Sequence, residues 1–289
     1  MPKTRKRKNP IVDVAPANTS SASTAAQSCR TTIRRYHVLL KQQRNLENSN
    51  DPSRTLALAE IKQELENIGG LERYQELSSL GQREERGGGS EKVLISWMKD
   101  LEIHALYKGK RKLRLLEVGA LKPDNYKSCS TWIDCTPIDL HSRHPQIQEQ
   151  DFLTMDLKEH DQKWNAISLS LVLNFVPVPN DRGRMLRLAH TMLTPDGLLF
   201  LALPLPCVAN SRYVTFDHLK SLMESIGFSE TKEKWKKDGK MGYWLYRKST
   251  PLDSQSSCIF GKKTVLRTGQ RNNFAIILGS LPLEQDLEP

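Results

Sequence analysis

The sequence predicts an α/β fold, a mostly parallel sheet covered by helices on both faces and preceded by further helices. Two observations carry this. From about residue 110 onward, continuous apolar runs alternate with helical patterns, and strands apolar along their whole length are strands buried on both faces. One of these runs, "LRLLEVGA", ends in an acid and a glycine, which suits the ligand-binding edge of such a sheet.

Residues 1–50 are rich in Ser, Thr, Ala, Asn and Lys ("ANTSSASTAAQS") and hold too little apolar surface to order themselves, beyond a short helix near Ile33–Leu46. Residues 51–108 read as helical. "DPSRTLALAEIKQELENIGG" offers Asp51 or Ser53 as an N-cap, apolar residues at 58, 61, 65 and 68, and a Gly-Gly stop. "LERYQELSSLGQ" is a second helix, "REERGGGS" a joint, and "EKVLISWMKDLEIHALYK" a third helix. Residues 109–289 form the sheet domain. Its strands are "KLRLLEVGA", "STWIDCTPIDL", a short third segment in "QEQDFL", "NAISLSLVLNFVPVP" and "LLFLALPLP". The last two, "MGYWLYRK" and "NNFAIIL", joined by a polar, Ser-rich link, are expected to run antiparallel to the rest of the sheet. The helix "RGRMLRLAHTML" buries Met185, Leu186, Leu188, Met192 and Leu193 and is followed by a turn, "TPDG"; "TFDHLKSLMESIG" starts at a Thr215 cap and stops at Gly227.

Composition narrows the function. A chain of 289 residues accommodates one α/β domain plus extensions, and no window holds the run of about 18 apolar residues that a membrane helix needs. The five cysteines are odd in number and lack a C-x-x-C pair, which suits an intracellular, reducing compartment and no zinc ribbon. His141 and His144 have no further ligand to complete a metal set, so no metal is expected. The net charge of +10 suits a polyanionic partner. It is concentrated in "MPKTRKRKNP", which reads as a nuclear or nucleolar address or an RNA-touching arm, in "YKGKRKLR", and in "KEKWKKDGK". Within the last, Trp235 is either a stacking platform for a base or a packing residue.

The candidate cofactor site lies at the carboxyl ends of the strands. Glu117 and Gly119 end the first strand, and glycine there admits a ligand close to the backbone. Twenty residues on, Asp139 ends the second strand, a spacing that suits a carboxylate accepting both ribose hydroxyls. Asp151 and Phe152 follow the third segment, as an acceptor for an adenine amino group and a ring to stack on it. A pyrophosphate would want a glycine-rich turn opening a helix, and Gly119 is followed instead by Ala120, Leu121 and Lys122. An adenosine with a charged, phosphate-free tail points to S-adenosylmethionine.

The stretches "LLEVGAL", "IDLHSR", "QEQDFLTMD", "ISLSLVLNFVPVPNDRGRML" and "LTPDGLLFLALPLPCVANSRYVT" resemble the fungal 25S rRNA adenine-N(1)-methyltransferases over roughly residues 52–280. The resemblance implies a class I (Rossmann-like) methyltransferase fold with a mostly parallel seven-stranded sheet and an antiparallel last strand. It also implies S-adenosylmethionine as cofactor, held at Gly119 and Asp139, large-subunit rRNA within a pre-ribosome as substrate, and a nucleolar location. N1 of adenine has an in-plane lone pair, so no base catalyst is required. Enzymes that methylate exocyclic amines resemble one another in an Asp/Asn-Pro-Pro-aromatic tetrad after the fourth strand. Asn174, Phe175 and Pro177 are a looser echo of it, suited to positioning a base. Arg143 is a further candidate contact for RNA or for the cofactor's carboxylate. Two other readings stay open: a non-catalytic sensor of S-adenosylmethionine, and a methyltransferase acting on protein side chains.

Overall fold

The computed structural model describes residues 53–81, 89–107, 109, 111–250 and 259–279, with positions 31–33, 35, 36, 38–40, 42, 43, 46 and 47. The basic segment 1–10 and most of the "REERGGGS" joint lie outside the described residues. The chain divides into two compact units, Met1–Ser78 and Ser79–Pro289.

In the first unit the described positions between 31 and 47 are helical, followed by α1 (Arg54–Asn67) and the start of α2 (Gly70–Gly81). Ser53 is the N-cap of α1, and Gly69, at φ +90°, reverses the chain into α2. Arg35 donates two hydrogen bonds to Glu64, at 2.6 and 2.7 Å, and Tyr36 stacks on Tyr74 at 4.6 Å.

The second unit holds the sheet. Its strands are β1 (Leu113–Val118), β2 (Ile133–Asp139), β3 (Gln148–Glu149), β4 (Trp164–Ser170), β5 (Leu193–Pro204), β6 (Phe228–Trp235) and β7 (Met241–Lys248). They form one seven-stranded sheet in the order β3-β2-β1-β4-β5-β7-β6. β1 to β5 pair in parallel, and β7 runs antiparallel to both β5 and β6. Its helices are α3 (Ser90–Asp100), α4 (Ile103–Tyr107), α5 (Leu157–His160), α6 (Pro179–Met192), α7 (Pro206–Ala209) and α8 (Phe216–Ile226).

Alternation along β5 builds the two layers of core. Leu198, Phe200 and Ala202 meet Leu94, Trp97 and Met98 of α3 on one face. Leu199, Leu201 and Leu203 meet Met185, Leu186, Ala189 and Met192 of α6 and Leu219, Leu222 and Met223 of α8 on the other. The sheet's own core therefore includes α3, and its compact unit begins upstream of residue 109. Thr215 accepts a hydrogen bond from the His218 amide at 3.0 Å, and Gly227 ends α8 at φ +104°, as the capping residues predict.

Four expectations need correction. "NNFAIIL" is not a strand: Phe274–Leu278 is buried as a strap (residues 259–279), and its backbone bonds to loops and to the start of α6 rather than to the sheet. The missing strand is β6, "FSETKEKW", which lies on a sheet edge and is largely solvent-facing beyond the buried Phe228. The third helix breaks at Glu102, which is at φ +56°, giving α3 and α4. The "TPDG" turn lies inside β5, where Asp196 at φ +59° kinks the strand and the pairing with β4 shifts register.

Candidate active site

The parallel strands end along one edge. β1 leads towards β2 and β3 on one side, and β4 leads to β5 on the other, so the loops after β1 and β4 part and leave a crevice between them. Gly119 stands there at φ +75°, with its amide and that of Ala120 both donating to the Ile138 carbonyl, at 2.8 and 3.0 Å. A β-carbon on Gly119 would lie 2.6 Å from Val172 Cγ2, so the first loop and the fourth-strand loop touch at this glycine. Between β1 and β2 the chain makes only a short 3-10 turn, Lys127–Cys129. With no crossover helix here, no helix N-terminus is aimed at a phosphate, in keeping with the single glycine.

Glu117 is buried beneath this turn, at 7% exposure. Asn125 Nδ2 donates to Oε1 at 2.7 Å, and the Cys135 thiol lies 3.8 Å from Oε2. Burial pushes the Glu117 carboxyl up to about 7; the Asn125 hydrogen bond opposes the shift and repulsion from Glu91 adds to it. Glu91 belongs to the first turn of α3, and next to it the Ser90 hydroxyl pairs with that of Ser170 at 2.6 Å. The start of α3 thus meets the end of β4 beside the crevice.

Asp139 sits beside Gly119, since Val118 and Ile138 are register partners. Its Oδ1 accepts from the His141 amide at 2.9 Å, and among the described residues no donor reaches Oδ2. Burial raises its carboxyl above the ordinary value, against the pull of that amide. Asp151 accepts from the Leu153 amide at 2.8 Å and caps a 3-10 turn, Phe152–Thr154, while the Phe152 ring is buried in the same core as Val118 and Ile138.

The loop after β4 starts at Leu171, in the left-handed region at φ +59°, a conformation costly for a residue with a side chain. Its amide donates to Ala202 O at 2.9 Å, and the Phe175 amide donates to Val172 O at 2.9 Å. Asn174 Oδ1 is buried and has no hydrogen-bond partner among the described residues, a position that costs roughly 1–3 kcal/mol until a donor arrives. Phe175 and Pro177 are half-buried in the same loop. Arg182 anchors the loop from below, its Nε donating to Val176 O at 2.8 Å.

Glu117, Gly119, Asp139 and Asp151 therefore stand at or just beyond the ends of β1, β2 and β3, and Asn174, Phe175 and Pro177 in the loop after β4. Sequence reasoning missed Asn125, Cys135, Val172, Ser90, Glu91 and Arg182. Cys135 lies within β2, and Asn125 and Val172 lie in the loops after β1 and β4, where proximity to the motif strands was the available signal; the others are brought in by tertiary packing.

The residues present fit S-adenosylmethionine: a glycine with no room for a β-carbon, a carboxylate oxygen open to a ribose hydroxyl, and a buried carboxyl suited to a cationic tail. The strand order, the antiparallel β7 and the crevice beyond β1 and β4 define a class I methyltransferase fold. Residues 59–276 match the family described as 25S rRNA (adenine(2142)-N(1))-methyltransferase, Bmt2, and the chain belongs to that family. A 25S rRNA adenine-N(1) methyltransferase of Schizosaccharomyces pombe is 38% identical over 250 residues, covering 84% of this chain and 89% of its own. A 25S rRNA (adenine(2142)-N(1))-methyltransferase of Saccharomyces cerevisiae is 34% identical, covering 84% and 71%. Among solved structures, a SAM-dependent methyltransferase from Archaeoglobus fulgidus is 13% identical with a TM-score of 0.41, over 59% of this chain and 99% of its own. Among the described residues no group of three or more His, Cys, Asp or Glu is placed to hold a metal ion, and no helix is long and apolar enough to cross a membrane.

Proposed function

We propose that the chain transfers a methyl group from S-adenosylmethionine to N1 of an adenine in 25S rRNA, acting on pre-ribosomes in the nucleolus. Gly119, Glu117 and Asp139 hold the cofactor, with Asp151 at the adenine end of its pocket. When bound, S-adenosylmethionine supplies a methyl already activated by its positive sulfonium. The chain's own task is alignment, for which ~7–11 kcal/mol is the ceiling in well-oriented cases. The observation that carries this reading is the unpartnered, buried Asn174 Oδ1, in the loop that packs on Gly119 through Val172. An amide oxygen there accepts from the N6 amino group of an unpaired adenine, which sets the neighbouring N1 towards the methyl, while Phe175 and Pro177 confine the ring. The basic start of the chain, "MPKTRKRKNP", supports the nucleolar assignment by its charge.

Reverse transcription across large-subunit rRNA tests this, in cells with the protein, without it, and with Asp139→Ala. A methyl on N1 blocks the pairing edge, so copying stops one nucleotide short. Loss of one such stop in both altered strains is expected. If no stop depends on the protein, cofactor binding without transfer replaces this reading.

A further inference from the structure

We propose that the turn between β6 and β7, together with the strap, forms a rim that holds the phosphate backbone of single-stranded RNA beside the crevice; this rests on the rRNA reading above and says where the chain grips its substrate. Topology puts the rim at the right edge. Pro204, the end of β5, is the register partner of Met241, and the Leu205 amide donates to Lys240 O at 2.8 Å, so Lys236–Lys240 stands at the edge where β4 also ends. The strap continues from there. The Arg212 amide donates to Asn272 O at 3.0 Å, and the Ile277 amide to Pro179 O at 3.0 Å, at the foot of the loop that carries Asn174.

The charge on this rim is one-sided. Residues 234–240, 206–215 and 259–279 contain nine Lys or Arg and a single acid, Asp238. One of the nine is used internally: Arg267 donates to the carbonyls of Val208, Ala209, Ser211 and Val214 and fastens the strap. Arg212 and Arg271 bond only to neutral groups, on Asn273, Gly269, Thr268 and Asn210. Lys234, Lys236, Lys237, Lys240, Lys262 and Lys263 are exposed, and among the described residues none is ion-paired. Such a row of uncompensated cations repels itself until a polyanion covers it. An aromatic face completes the platform. Trp235 is 42% exposed with one face against Phe216, at 4.6 Å, and Lys263 lies 5.9 Å from the Tyr213 ring. Cations along a track with a ring for a base is the chemistry that single strands recognise, and a base that offers N1 is unpaired.

The other basic cluster supplies a control. Arg111 and Lys112 are exposed just before β1, at the opposite end of the parallel strands. We would titrate the full chain, by anisotropy, into a fluorescein-labelled adenosine homopolymer across a salt series. Lys236→Gln/Lys237→Gln/Lys240→Gln is expected to lower the slope of log K against log salt by about 2 and the affinity about a hundredfold at 0.1 M salt. Trp235→Ala should weaken binding about tenfold with the slope unchanged. Arg111→Gln/Lys112→Gln should change neither, and S-adenosylhomocysteine affinity should be wild-type in all three. Unchanged slope and affinity in the triple variant, an equal loss in the Arg111/Lys112 control, or stronger rim-dependent binding of polyglutamate than of RNA would overturn the proposal. If the rim variants lose RNA while no reverse-transcription stop depends on the protein, the rim stands and the methyltransferase reading falls. If the stop depends on the protein but RNA binding ignores the rim, only the rim falls.

Discussion

Gly119 and Val172 are packed so tightly that a β-carbon on the glycine would lie 2.6 Å from Val172 Cγ2. The contact joins the turn that ends β1 to the loop that carries Asn174. A side chain at φ +75° costs about 1–2 kcal/mol by itself. Gly119→Ala adds a clash that pushes Val172 away, and Gly119→Arg fills the crevice. The alanine variant should lower Tm and weaken S-adenosylmethionine binding more than tenfold by calorimetry. Gly269 supplies the comparison, since it has φ +90° and nothing within 4 Å of the position a β-carbon would take. Gly269→Ala should share the strain but keep the affinity. Equal affinities in the two variants would remove the cofactor from this turn.

Glu117 should make stability depend on pH. Its carboxyl sits at about 7 in the fold, against an ordinary 4.5. Between those values the folded chain holds a proton that the unfolded chain has lost, so stability falls as pH rises from 4.5 to 7 and then levels off. The penalty above pH 7 is about 3 kcal/mol. Glu117→Gln keeps an acceptor for Asn125 and removes the buried charge. Its Tm in the absence of cofactor should exceed wild type at pH 8, with the gap closing towards pH 4.5. The same variant should bind S-adenosylmethionine poorly, and wild-type affinity should rise with pH up to about 7. A variant that gains stability and keeps full affinity would reduce Glu117 to a structural acid.

Asp139→Ala removes the carboxylate oxygen that no described residue's donor reaches. Hydrogen bonds to charged groups contribute about 1.5–3 kcal/mol, so S-adenosylmethionine affinity should fall by at least tenfold. Unchanged affinity would mean that the ribose partner lies elsewhere.

The sheet was legible where burial was complete. β1, β4, β5 and β7 each carry an apolar, buried run because both faces of the sheet are covered there. β6 was not legible, because an edge strand with "SETKEK" facing water carries neither an apolar run nor clean alternation. "NNFAIIL" misled for the opposite reason: it is apolar because it is buried, but what it packs on is α6 and loops. The break at Glu102 has no glycine or proline to announce it. In the site, the positions of Gly119 and Asp139 were readable because they follow from strand ends. The convergence of Glu91 and Ser90 on the crevice depends on how α3 packs on the sheet, which no local spacing records.

Asn174→Ala separates base positioning from cofactor binding. The substitution removes a buried, unpartnered oxygen, so the protein alone should be as stable as wild type or slightly more so. Affinity for S-adenosylmethionine should be unchanged, while methylation of rRNA taken from cells that lack the protein should slow at least tenfold at saturating RNA. Wild-type turnover would move the base-positioning role to another residue.

Arg182 should carry the geometry of that loop. It is buried and ties two distant carbonyls together, Nε donating to Val176 O at 2.8 Å and Nη1 to Ala275 O at 2.7 Å, with the guanidinium 4.4 Å from the Phe274 ring centre. Burial pulls its pKa down to about 10, so it stays charged across the working range. Beside it, Gly183 is crossed by the backbone of Ile277 so closely that no β-carbon fits. The strap therefore lies on α6 and is tied to the Asn174 loop through the Arg182 side chain. Arg182→Lys keeps the charge but loses the fork that reaches both carbonyls. Its Tm should fall by several degrees, and turnover should fall severalfold while cofactor affinity holds, because the cofactor side of the crevice does not depend on this link. Arg182→Gln should do the same more strongly. A loss of Tm with turnover intact would show that the strap stabilises the fold without setting the loop.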